Sequence, residues 1–213
     1  MNLSGFLYHT LWNLGLAVIP VALGYALGAL GRRAIAGHNP LLWIGVVVVG
    51  FLWLAFVPNT CYLLTEWRHL LQLVERNHLY TRGESDPQYL FAIGLFAFFY
   101  FCYSGCGVLA LTLSIRPVER MLRVWRLPFP LVAPFLFLLL SVGVYLGLIL
   151  RYNSWDLWTH PKMVGTTLVG IPFRPVLSFS IFVFALVLWG LYEALDIWVD
   201  GVKERLSRFK VKG

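Results

Sequence analysis

The chain has 213 residues, of which 59% are hydrophobic and 13% are charged. Soluble domains carry roughly one-quarter charged residues, so this composition excludes an ordinary soluble domain and predicts an integral membrane protein. A net charge of +7 would suggest nucleic-acid binding in a soluble protein. Here the basic residues flank apolar stretches, where they set membrane orientation, and we expect membrane lipid but no nucleic acid as a partner.

Five apolar stretches are each about long enough to cross a hydrocarbon core of roughly 30 Å. The predicted spans cover residues 7–30, 41–57, 89–113, 130–150 and 176–199. The segments between them are too short to form an independent core. The expected fold class is therefore all-α, a polytopic transmembrane helical bundle that forms a single integral membrane domain over residues 1–213.

The lysines and arginines are unevenly divided between the two sides of the predicted bundle. If the N-terminus lies outside, eleven of the 17 basic residues fall in cytoplasmic segments and six fall in outer loops. Loops rich in basic residues stay in the cytoplasm, so we predict an outer N-terminus and a cytoplasmic C-terminus. Arg32 and Arg33 follow the first span and no basic residue precedes it, which is the reverse of a cleavable signal. The expected location is the cell membrane, with multiple passes.

Small residues recur at helical spacing on two of the predicted spans. Gly24 and Gly28 lie on the first span, and Gly143 and Gly147 lie on the fourth. A small residue at every fourth position lets two helix backbones approach closely. We therefore interpret both glycine pairs as surfaces for helix packing.

Three carboxylates, Glu193, Asp196 and Asp200, share a face of the last predicted span. A carboxylate inside the membrane indicates a functional site by default. Glu193, however, lies about 26 Å along the span, near the inner headgroups and Lys203. We therefore predict an interfacial charge pair rather than a proton relay.

A polar segment follows the second span and begins at Pro58. Proline suits the first turn of a helix, so we predict a short amphipathic helix from Pro58 toward Val74. Four polar residues recur along it at spacings of three, four and three and so share one face: Asn59, Tyr62, Glu66 and His69. The apolar residues of this helix are expected to lie along the membrane surface or to pack on the bundle.

A second polar segment follows the fourth span and contains Arg151, Asn153, Asp156 and His160. The charge count places both segments on the outer side, where helix ends could bring them together. Arg151 could then pair with Glu66 or Asp156, which would hold the loops and also suit recognition of phosphate or carboxylate.

The two segments, PNTCYLLTEWRHL and RYNSWD, resemble the paired motifs of an uncharacterised prokaryotic membrane-protein family, domain of unknown function 1361. The resemblance extends over nearly the whole chain. Cys61 stands where that family has a second proline, Glu66 where it has aspartate, and Tyr152 where it has tryptophan. The resemblance implies a multispan membrane protein and supplies no reaction.

The sequence leaves more than one class of function open. The favoured hypothesis is a structural or partner-binding membrane protein in which Asn59, Tyr62, Arg151 and Asn153 help to form a clasp, with another membrane protein as the partner. A transporter component is an alternative, although five spans do not divide into equal repeats.

The other alternative is an outward-facing membrane enzyme that acts on a lipid-linked or phosphorylated substrate. Glu66, His69 and Asp156 would be its catalytic groups. With His160 they would also be candidate ligands for a divalent metal, because their i, i+3 and i, i+4 spacings suit shared ligation. The chain has no complete zinc motif, phosphate loop or nucleophile elbow, so the sequence identifies no cofactor.

Overall fold

The structure is a computed structural model that describes residues 3–37, 39–152 and 156–211. Within these ranges the chain forms helices and no strand. The helices are α1 (Leu3–Gly37), α2 (Pro40–Phe56), α3 (Pro58–Thr65), α4 (Trp67–Arg76), α5 (Leu79–Ser85), α6 (Pro87–Val124), α7 (Phe129–Val144), α8 (Asp156–Thr159), α9 (Pro161–Gly170) and α10 (Pro175–Val211). A π-helical turn, Tyr145–Ile149, continues α7.

Among the described residues, five segments are long and apolar enough to cross a membrane. They are Leu7–Gly37, Pro40–Arg76, Pro87–Val124, Phe129–Ile149 and Pro175–Arg208. This confirms the predicted all-α bundle with five spans. The fourth segment has the predicted length of 21 residues, whereas the other four are longer than the predicted spans, because apolar composition alone does not mark where a helix ends.

Glycines on α1 bring its backbone against α6. A Cβ added at Gly28 would lie 2.8 Å from the carbonyl oxygen of Pro117, and one added at Gly24 would overlap the carbonyl oxygen of Ser114. The residue number increases along both helices from one contact to the next, from Gly24 with Ser114 to Gly28 with Pro117. The two helices therefore run parallel. The predicted packing role of Gly24 and Gly28 is confirmed.

The glycines of the fourth span make room for α3. A Cβ added at Gly143 would lie 2.6 Å from the Pro58 ring, and one added at Gly147 would overlap the Tyr62 hydroxyl. The interpretation of this pair as a packing surface is also confirmed, and the partner is α3, where the predicted amphipathic helix begins.

The segment from α2 to α4 runs antiparallel along α6. Trp53 of α2 donates a hydrogen bond to Ser114 at 2.8 Å, and Trp67 of α4 donates one to Ser104 at 2.8 Å. The amphipathic helix begins at Pro58 as predicted, but it is interrupted between Thr65 and Trp67.

The apolar side of this segment is inserted into the bundle. Leu63 and Leu70 are buried, and they pack with Tyr100 and Tyr103 of α6. Leu71 of α4, by contrast, is largely exposed. Of the two placements expected from the sequence, packing on the bundle is the one observed for Leu63 and Leu70.

Candidate functional site

Glu66 lies at the break between α3 and α4 and joins this break to α1. Asn13 Nδ2 of α1 donates a hydrogen bond to Glu66 Oε1 at 3.4 Å. The other oxygen, Oε2, lies 3.2 Å from His69 Nε2. We call Asn13, Glu66 and His69 the Glu66 cluster.

A tryptophan and a serine fix α4 to α6 beside this cluster. Trp67 Nε1 donates to Ser104 Oγ, which in turn donates to the carbonyl oxygen of Leu63 at 3.3 Å. Buried polar groups need such partners in a medium that lacks water. The contacts hold the break in a defined position against two neighbouring helices.

The remaining residues of the predicted polar row face other neighbours. Asn59 is buried. Tyr62 packs against Gly147 and lines an apolar cavity of about 250 Å³ between α2, α3, α7 and α9. Tyr152 also lines this cavity, and its hydroxyl lies 3.3 Å from Thr167 Oγ1. The row is therefore divided between the α1 side and the α7 side of the bundle.

The second polar segment forms a local arrangement of its own. Asp156 Oδ1 lies 3.6 Å from His160 Nδ1 and accepts a hydrogen bond from Thr159 at 3.4 Å. Thr159 Oγ1 also lies 3.0 Å from His160 Nδ1. Asn153, predicted as part of the clasp, lies outside the described residues.

Arg151 does not make the ion pair considered from the sequence. It is exposed, its φ is 58°, and the structure shows no ion pair between it and Glu66 or Asp156. Each carboxylate is instead paired with a histidine from its own segment. One residue, Leu150, separates the left-handed backbone at Arg151 from the π-helical turn.

The four candidate metal ligands form two pairs, Glu66 with His69 and Asp156 with His160. In the part of the chain that the structure describes, no group of three or more His, Cys, Asp or Glu side chains is close enough to hold a metal ion. Structural and catalytic zinc sites use at least three protein ligands. Each of the two pairs thus supplies two candidate ligands, one fewer than a zinc site needs.

The sequence predicts a charge pair among the carboxylates of the last span but does not identify their partners, which lie near the C-terminal end of α6. Arg116 Nε is 2.7 Å from Asp196 Oδ1 of α10, and Arg116 Nη2 contacts Asp200 Oδ1. Glu119 accepts hydrogen bonds from the Tyr192 hydroxyl and from Arg123 Nε, the latter at 3.2 Å. We call these six residues the Arg116 cluster.

These contacts correct the predicted charge pair of the last span. Glu193 accepts a hydrogen bond from Trp189 at 2.9 Å, and the structure shows no ion pair between Glu193 and Lys203. The pairing carboxylates are Asp196 and Asp200, which face α6 across the bundle.

The helical spacing of the basic residues after the third span could have identified these partners. The basic residues of SIRPVERMLR were assigned to a loop after the third span, but α6 continues through Pro117 to Val124. On a continuous helix, Arg116, Arg120 and Arg123 share one face, and Asp196 and Asp200 share a face of α10.

Comparison with known proteins adds a family and no activity. A model of the family described as "Protein of unknown function (DUF1361)" matches residues 12–189, a range that contains both polar segments. No curated protein and no solved structure matches the chain.

Proposed function

We propose, from the premise that this chain belongs to the DUF1361 family of proteins of unknown function, that it is a structural and partner-binding membrane protein. Its five apolar helices make it a multi-pass membrane protein. In this proposal the Glu66 cluster is a clasp that holds one end of the bundle, and an exposed face of α6 binds a helix of another membrane protein.

The observation that carries the clasp is that both oxygens of the Glu66 carboxylate have partners inside the chain. One oxygen accepts from Asn13 and the other lies beside His69. A carboxylate in apolar surroundings costs several kcal/mol, as an order of magnitude, unless it is paired and hydrogen-bonded. These contacts support a role in holding α1 against the break between α3 and α4.

The clasp is tested by comparing Glu66→Gln with Glu75→Gln, which removes an exposed carboxylate from the next helix. We expect Glu66→Gln to lower the free energy of unfolding in detergent by about 1 kcal/mol. Glu75→Gln should stay within about 0.5 kcal/mol of the wild type. Equal stability of the two variants would contradict the clasp, and loss of a cellular activity by Glu66→Gln without loss of stability would favour the enzyme.

The partner face is supported by a regular stripe on α6. Its residues follow one another at spacings of three, four, three and four: Phe91, Gly94, Phe98, Phe101 and Gly105. The three phenylalanines are 65–76% exposed, and no atom lies within 4 Å of a Cβ added at either glycine. Small residues between large ones allow close approach of a second helix.

The partner face is tested by filling one of its open positions. Gly105→Ile should abolish most cross-linking of the chain to a neighbouring protein in native membranes, with a thiol-reactive cross-linker attached at the exposed Cys102. Gly190→Ile is the matched control, because Gly190 of α10 also faces open space. Cross-linking that survives Gly105→Ile would contradict the proposed face.

The metal-dependent enzyme and the transporter component remain alternative hypotheses. No comparable observation among the described residues favours either of them, because the candidate ligands form two separate pairs.

A further inference from the structure

A polar cavity of about 230 Å³ lies beside the Arg116 cluster, between α6 and α10. A single buried water needs roughly 10–15 Å³ of such space, so the cavity can admit a larger polar group. Its lining consists of charged residues only: Arg116, Glu119, Arg120, Arg123, Asp196 and Asp200.

Two arginines of the lining have unused donors. Arg116 is buried, with 6% of its surface exposed, and within the described ranges its Nη1 has no hydrogen-bond partner. Arg120 is exposed and forms no ion pair with any described residue. A guanidinium presents several donors in a planar fork that matches the oxygens of a phosphate.

The lining also offers an acceptor. Asp200 contacts Arg116 through Oδ1, its side chain is 60% exposed, and no described residue donates to its Oδ2. With three arginines and three carboxylates, the lining is formally neutral. It therefore complements a group that carries a negative phosphate and a positive ammonium better than it complements a simple anion.

Tryptophans place the cavity at a membrane–water interface. Trp43 and Trp125 are in ring contact, with centroids 5.2 Å apart, at the same end of the bundle, and Trp198 is exposed on α10 between Asp196 and Asp200. Tryptophan is enriched at the level of the lipid headgroups. A pocket with basic side chains between helices at this level suits the headgroup of a phospholipid.

We propose that this cavity binds the headgroup of an aminophospholipid such as phosphatidylethanolamine. The exposed Arg120 guanidinium would donate to the phosphate, the buried Arg116 guanidinium would add its positive charge, and Asp200 would accept from the ammonium group. The site lies near the C-terminal end of α6, whereas the Glu66 cluster lies beside the middle of that helix, and it does not depend on the proposed clasp or partner.

The test is the thermal unfolding of delipidated protein in neutral detergent, titrated with one lipid at a time. Because a ligand that binds only the folded state raises its stability, the unfolding temperature gives an apparent affinity. Phosphatidylethanolamine should raise the unfolding temperature more than phosphatidylglycerol, which lacks the ammonium group. It should also raise this temperature more than phosphatidylcholine, whose ammonium has no N–H donor. Equal shifts from all three lipids would overturn the proposal.

Arg120→Gln is the informative variant, because Arg120 is exposed and forms no ion pair with a described residue, so its loss should not disturb folding. We expect about fivefold weaker apparent affinity for phosphatidylethanolamine. Arg33→Gln is the matched control, since it removes an exposed charge from the same end of the bundle outside the cavity. An equal loss in both variants would overturn the site in favour of general surface attraction.

Phosphoethanolamine, which has this headgroup without acyl chains, distinguishes a membrane lipid from a soluble compound as the ligand. We expect no shift of the unfolding temperature at concentrations where the lipid is effective. A full shift from the soluble compound would overturn the lipid as the ligand.

Discussion

Two serines of α6 each connect a tryptophan indole to a backbone carbonyl. Ser114 is fully buried, accepts from Trp53 at 2.8 Å and donates to the carbonyl oxygen of Pro20 at 3.0 Å. One hydroxyl thereby joins α1, α2 and α6. Ser104 performs the same role for Trp67 and Leu63 nearer the Glu66 cluster.

Ser114→Ala should therefore cost about 1–3 kcal/mol of unfolding free energy, because it leaves the indole N–H of Trp53 buried without an acceptor. Ser180→Ala is the matched control, since Ser180 is exposed and bonds only to a carbonyl of its own helix. Both are measured by unfolding in mixed micelles. A cost for Ser114→Ala no larger than that of the control would show that the serine link is unimportant.

The residues of the sites could be predicted only in part. The i, i+3 pairing of Glu66 with His69 and the i, i+4 pairing of Asp156 with His160 follow from helical spacing, and the structure contains both. The bond from Asn13 to Glu66 spans 53 positions. It depends on the register of α1 against the break, which spacing along one helix does not reveal.

At the level of helices, the close approach of α1 to α6 depends on glycine. Gly24 meets the backbone of Ser114, and this part of α6 has no flexible side-chain end that could move away. Gly15 lies on the same helix and faces open space. Alanine substitutions at Gly24 and Gly15 therefore separate the effect of helix packing on stability from the effect of helix propensity.

Gly24→Ala should destabilise the protein by about 1–3 kcal/mol, because the added methyl group forces the two helices apart. Gly15→Ala should be neutral or stabilising by up to about 1 kcal/mol, since alanine is the better helix former. The measurement is again the free energy of unfolding in detergent. The account of this interface is wrong if both substitutions have the same effect.

The helix elements were predictable where composition and Pro58 marked them, and less so at their ends. The start of α3 at Pro58 agrees with the prediction, whereas α6 passes through Pro117 and reaches Val124. An arginine-rich segment looks like a loop when it is judged by hydropathy. Burial of Arg116 and Glu119 against α10 makes it part of the bundle.

For the molecule as a whole, two polar clusters lie at different levels of one helical bundle. Gly28, which meets Pro117 near the Arg116 cluster, lies about 22 Å along α1 from Asn13. This separation is smaller than the roughly 30 Å of a hydrocarbon core, so the two clusters cannot both lie outside the core. The sequence predicts the polar face that contains Glu66 and His69 and the carboxylates of the last span. It does not predict the partners Asn13 and Arg116, because each lies on a helix distant in sequence from the carboxylates it contacts.

The orientation of the bundle is a prediction from the distribution of basic residues. A cysteine placed at Glu84 should react with an impermeant thiol reagent applied outside sealed cells, in a variant that lacks the native cysteines. A cysteine placed at Ser207 should react only after the membrane is opened. The opposite pattern would show that the C-terminus lies outside and that the charge rule fails here.

The central claim, that the Glu66 cluster is a clasp, is tested most directly by a double-mutant cycle of Asn13→Leu and Glu66→Leu in reversible unfolding. Each single variant leaves a polar partner unpaired and should cost about 1–3 kcal/mol. The double variant should cost less than the sum by about 1 kcal/mol, because it removes both partners together. Costs that add within about 0.5 kcal/mol would contradict a clasp between α1 and the break at Glu66.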